Sequence, residues 1–200
     1  MSLLILIALS TPLLLSPFYT HLLFQDLYER EREQIAIDNS AIELGKGEKK
    51  FFNMVASFNQ WLLALEKVHH PIHLCAKTPS PAAAACKVFD HSLEVSLKVI
   101  LSQMTAVLKT SWQALIPLTK QKALLLQKQV CRIDHSTLFP IEQKKCPICE
   151  RYTAWQLNSS FSPYHLLEIC SPWPHRARVS MEIKGTSTLT TKDWDYELTP

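Results

Sequence analysis

Leu3 to Phe24 reads LLILIALSTPLLLSPFYTHLLF, 22 residues without an acid or a formally charged base, His21 being the one ionisable side chain. At about 1.5 Å per residue the run would span roughly 33 Å as a helix, the thickness of a bilayer core. Three readings compete: a retained membrane anchor, a cleaved secretory signal and a soluble buried helix. Leu3 to Leu15 has the length of a signal core, but no Lys or Arg precedes it. Nor does a small-residue cleavage site follow, since Leu15 leads into Ser16, Pro17, Phe18 and Tyr19. A retained anchor is the preferred expectation. Pro12 and Pro17 are compatible with a kinked span, because neighbouring helices and hydroxyls can satisfy the carbonyls that proline releases. The following stretch, QDLYERERE from Gln25 to Glu33, carries no excess of bases. The bulk of the chain is therefore expected outside the cytoplasm.

Working outward, the helical stripe continues through Leu23, Leu27 and Tyr28 and is expected to run to about Leu44, where Gly45 and Gly47 signal a stop. Phe51, Met54, Val55, Phe58, Trp61, Leu62, Leu65 and Val68 then recur at amphipathic-helix spacing, closed by Pro71. His69 and His70 at that end read as caps on the helix dipole. A third pattern runs from Val88 to Trp112 and Leu115 and resumes from Leu118 to Leu126, with Pro117 expected to kink or split it. Residues 71–130 hold seven bases and two acids, and Lys98, Lys109, Lys120, Lys122 and Lys128 read as a solvated face. Near the carboxyl end, Val179, Met181 and Ile183 alternate before Lys184-Gly185, and Trp194, Tyr196 and Leu198 alternate after it, a β-hairpin signal. These features predict an α+β, mostly helical chain. It divides into an anchor helix (1–24), a helical region (25–130) and a cysteine-containing loop and β-hairpin subdomain (131–200).

The six cysteines are Cys75, Cys86, Cys131, Cys146, Cys149 and Cys170. An even count agrees with an oxidising compartment if the opening segment exports the chain. Cys75 with Cys86 is the economical pair, because the short segment CAKTPSPAAAAC between them reads as a surface loop. The other four would pair among themselves. Cys146-Pro-Ile-Cys149 admits two sharper readings. Thiol-disulfide catalysis needs an exposed thiol at a helix N-terminus within a βαβ setting, and that setting is missing from the pattern. Zinc would need further ligands from Cys131, His135, His165 or Cys170, in a spacing that matches no standard ribbon. Structural disulfides are favoured over both. Asn158-Ser159-Ser160 also fits a glycosylation acceptor.

Composition closes off other classes. With 21 Lys+Arg against 18 Asp+Glu the net charge is +3, too little for a protein that covers nucleic-acid phosphates. Three glycines, at 45, 47 and 185, cannot build a phosphate-cradling loop. No nucleophile elbow supports a Ser/His/Asp site, so neither enzyme activity, cofactor nor small-molecule substrate is expected.

The order of an uncharged start, a charged helix with QIAIDNSA from Gln34 to Ala41, and Phe52-Asn53 and Phe58-Asn59-Gln60 on a second helix resembles pilin-like proteins of the bacterial tight-adherence (Flp-type) pilus. The likeness covers about the first seventy residues. It implies a minor pilin or assembly component, anchored by its first helix, whose partners are the lipid bilayer and other membrane or filament subunits. The alternatives are a secreted or tethered binding protein stapled by disulfides, and a zinc or thiol-redox protein built on Cys146 and Cys149.

Overall fold

The computed structural model describes residues 2–125, 130–134, 139–145, 153–169, 177–185, 189, 192 and 194–199. Side chains are described within these ranges except at 2–15, 116, 118–125, 130–134, 145, 153, 169 and 199. Two helices dominate: α1, Ser2–Lys77, and α2, Ala83–Leu125. At 76 residues α1 is about 114 Å long. The helices form an antiparallel hairpin around the turn at residues 78–82. Six strands follow: β1 Val130–Asp134, β2 Ile141–Lys145, β3 Thr153–Leu157, β4 Tyr164–Ile169, β5 Arg178–Lys184 and β6 Asp195–Thr199. β1-β4-β5-β6 form an antiparallel sheet in that spatial order, and β2 and β3 form a separate hairpin. The architecture is thus α+β and mostly helical, with small antiparallel sheets.

The middle of α1 organises the body. Ile37, Ala41, Leu44, Phe52, Val55 and Leu62 are buried and recur at intervals of three and four, the spacing that keeps side chains on one face. Leu108 and Trp112 of α2 close on this face from one side. From the sheet, Val179, Met181 and Ile183 of β5 alternate inward, their neighbours pointing outward as strand geometry requires. Aromatic rings fill the centre: Phe52 stacks on Trp194 with centroids 4.1 Å apart, and Phe51 lies 5.0 Å from Trp112. One buried cluster thus draws side chains from both helices, both sheets and the connections between them.

Several sequence expectations are corrected here. α1 does not stop near Leu44 but runs through Gly45, Gly47 and Pro71 to Lys77. A Cβ on Gly45 would meet the Tyr196 ring at 2.5 Å and Met181 Sδ at 2.9 Å, and one on Gly47 would meet Leu115 at 2.6 Å. The two glycines lie roughly 200° apart on the helix. One lets β5 and β6 come close, the other lets α2 come close, and neither is a cap. α2 likewise passes Pro117 unbroken. The loop expected between Cys75 and Cys86 shrinks to residues 78–82, with both cysteines in helices. The β5–β6 pairing matches the alternation, with Lys184 opposite Asp195. Its connection runs from Gly185 to Trp194, however, and is not a tight turn. β1 to β4 lie where only irregular chain was expected. The amphipathic stripes are also less uniformly buried than their spacing suggests, since Trp61, Val68 and Val88 are exposed.

Candidate functional site: an exposed arm and two polar locks

The amino-terminal part of α1 stands clear of the body. Every side chain from Ser16 to Arg32 is exposed, and burial begins with Ala36 and Ile37. Phe18, Tyr19, Leu22, Leu23, Phe24, Leu27 and Tyr28 lie in this arm, with Phe24 71% exposed. At about 100° per residue these seven side chains surround the helix and do not form one stripe. A helix that is apolar all round suits a lipid surrounding or a bundle of several helices, whereas a single partner helix needs only a seam. The collar beyond the arm is aqueous in character: Asp26 pairs with Arg30 at 2.6 Å, and Glu29 and Glu31 are exposed. Among the described residues no helix is long and apolar enough to cross a membrane. The side chains of residues 2–15, which carry most of the expected anchor, lie outside those described.

At the opposite end of α1, the hairpin tip is held by a covalent and a polar lock. Cys75 and Cys86 form a disulfide with Cα atoms 5.8 Å apart, the pairing expected from the sequence. One turn inward, His69 Nε2 donates to Asp90 Oδ1 at 2.5 Å and His73 Nδ1 donates to Asp90 Oδ2 at 2.8 Å. The i, i+4 spacing places both imidazoles on the α1 face toward α2, so one carboxylate accepts from both. His69 is therefore buried and cross-linking, not a cap, because α1 continues beyond it. His70 is exposed.

The second lock lies in the body. Glu48 and His165 are fully buried, with Oε2 and Nε2 3.2 Å apart, tying α1 to β4. Nearby, Asn59 Nδ2 donates to the carbonyls of Trp155 and Leu189 at 2.8 and 3.0 Å, and its Oδ1 accepts from the Trp155 N–H at 3.0 Å. This amide completes the edge of β3 as a neighbouring strand would. The Asn59 amide dictates docking, because any slip would leave this buried group unsatisfied. Glu48 and Asn59 occupy positions in the three-and-four series of α1, and that interruption of an apolar stripe was a signal the sequence reading passed over.

Of the proposed zinc ligands, His165 is the one whose side chain is described, and it faces Glu48. Its neighbours include the ring of Phe161, with centroids 6.2 Å apart. The side chains of Cys131, His135, Cys146, Cys149 and Cys170 lie outside the described residues. Among the described residues no cluster of His, Cys, Asp and Glu could hold a metal ion. Asn158 occupies a turn, its Oδ1 accepting from the Ser160 N–H at 3.0 Å. Lys98 and Lys109 are exposed, while Lys120, Lys122 and Lys128 have no described side chains. Comparison with protein-family models, with curated proteins and with solved structures finds no match for this chain.

Proposed function

We propose that this chain is a membrane-anchored structural or assembly component working outside the cytoplasm, in the manner of a minor pilin-like subunit. The observation that carries the reading is the continuity of α1. One helix joins the apolar opening of the sequence to the core residues Ile37 to Leu62, with an exposed, all-round apolar arm between them. An anchor continuous with the core fixes the orientation of the body relative to whatever holds the arm. Lipid can cover the arm before assembly, and like helices can cover it afterwards, since both remove the same side chains from water. The Cys75–Cys86 disulfide supports an oxidising compartment.

The test is fractionation of native membranes combined with protease accessibility and the mass of the mature amino terminus. The intact chain should pellet with membranes, resist carbonate extraction and expose its sheet to protease only from the non-cytoplasmic side. Loss of residues 1 to about 20 from the mature protein would instead support a secreted binding protein. Recovery of the full chain in the cytosol with reduced thiols would overturn the proposal.

A further inference from the structure

A groove of about 970 Å³ opens between α1 and α2, away from both the arm and the hairpin tip. Its volume lies at the upper end of the range that encloses small molecules. The floor is apolar: Phe51, Met54, Ala114 and Leu115 line it, and Gly47 lets Leu115 pack directly against the α1 backbone. Lys46, Lys50 and Lys192 also line it, against the single acid Glu43, which sits 3.3 Å from Lys46 Nζ. Among the described residues no carboxylate lies within ion-pair distance of Lys50 or Lys192. Asn53 Oδ1 is buried and finds no hydrogen-bond donor among the described residues, although Asn53 belongs to the groove lining.

An apolar floor beside two lysines with no carboxylate partner among the described residues, and a third shared with Glu43, matches a molecule with an alkyl chain and an anionic head. A purely apolar ligand would leave the ammonium groups unanswered, and a compact anion would leave the floor exposed to water. We infer that this groove binds a single-chain amphiphile with a carboxylate head, that is, a fatty acid, with its head at Lys46, Lys50 and Lys192 and its chain along Phe51, Met54 and Leu115. The inference does not depend on the anchoring role of the arm.

The exposed arm is a rival apolar surface for any amphiphile, so the experiment must report position. The full chain in a neutral detergent is irradiated with a 12-carbon fatty acid bearing a terminal diazirine, and labelled peptides are mapped by mass spectrometry. Label is expected within residues 43–57 and 111–115. It should be competed by dodecanoate at least ten-fold better than by dodecanol. Replacing Lys46, Lys50 and Lys192 together by Gln should lower groove labelling at least ten-fold, with the thermal transition unchanged. Ala114→Trp, which fills the floor without altering charge, should also suppress it. Label confined to residues 16–28 or found elsewhere, no label at all, or groove labelling that dodecanol competes equally well or that survives loss of the three lysines would each overturn the inference.

Discussion

The middle of α1 and its amino-terminal arm belong to one helix and both carry large apolar residues, yet they use them in opposite ways. Between Ile37 and Leu62 the large apolar residues converge on one face and meet α2, β5 and the β2–β3 hairpin. Between Phe18 and Tyr28 they surround the helix and stand exposed. Periodicity explains the difference: a stripe can be covered by a single-sided core, whereas an all-round distribution needs an environment on every side. Core stability therefore resides in the body, and changes in the arm such as Leu23→Ser should alter the unfolding free energy by less than about 0.5 kcal/mol while weakening whatever covers the arm.

The largest effect is expected at the polar member of the core face. Glu48→Ala removes the carboxylate that faces buried His165 and should cost about 3–5 kcal/mol in chemical denaturation. A double-mutant cycle with His165→Ala should show strong coupling, because the two buried side chains face each other at 3.2 Å. Additive losses would mean that the two side chains act independently.

Next comes the hairpin tip, where Cys75→Ser should remove about 3 kcal/mol, given a sequence separation of 11. Hydrogen exchange should place the loss at the ends of α1 and α2, and the body around Phe52 and Trp194 should keep its protection. A uniform loss over the whole molecule would break the distinction between tip and body. Gly45→Leu should cost about 1–3 kcal/mol, because the sheet leaves no room beyond the backbone, whereas Glu31→Leu, in the exposed arm, should be nearly neutral.

The smallest effect concerns pH at the edge where β5 and β6 meet α1. A backbone hydrogen bond at Tyr196, and then Lys49 at 3.2 Å, hold the Asp195 carboxyl below its ordinary range. Its contribution is present at neutral pH and fades as pH falls through the carboxylate range into the depressed folded-state value. Lys184 is shifted upward by its hydrogen bond and charge interaction with Glu197, and then by Glu182. Its contribution is present at neutral pH and is lost as pH rises past the ordinary lysine value. Both groups are fully exposed, so Asp195→Asn should flatten only the acid limb of the stability profile, and slightly. A large change there would show that this edge carries more of the body's stability than the core face allows.

Legibility followed the range of the interactions. The helical character of α2, the alternation of β5 and β6, and the pairing of Cys75 with Cys86 all rest on neighbours within a few turns or one short segment, and each could be read directly. β1 to β4 could not, because strands such as Ile141–Lys145 acquire their register only from distant partners; Gln143, for instance, lies opposite Trp155. The tip lock was half visible. His69 and His73 stand at helical spacing, but Asp90 joins them only when the hairpin closes.

What the linear order of residues settled by itself was the predominance of helix, the apolar opening and the tip disulfide, since periodicity and short-range proximity need no third partner. The unbroken passage of α1 through Gly45, Gly47 and Pro71, and the burial of Glu48, Asn59 and His165, were decided by tertiary packing. Glycine and proline weaken a helix by about 1 and 3 kcal/mol. The close approach of a sheet and a second helix can outweigh that penalty by burying apolar surface, and no local pattern records how near those elements will come.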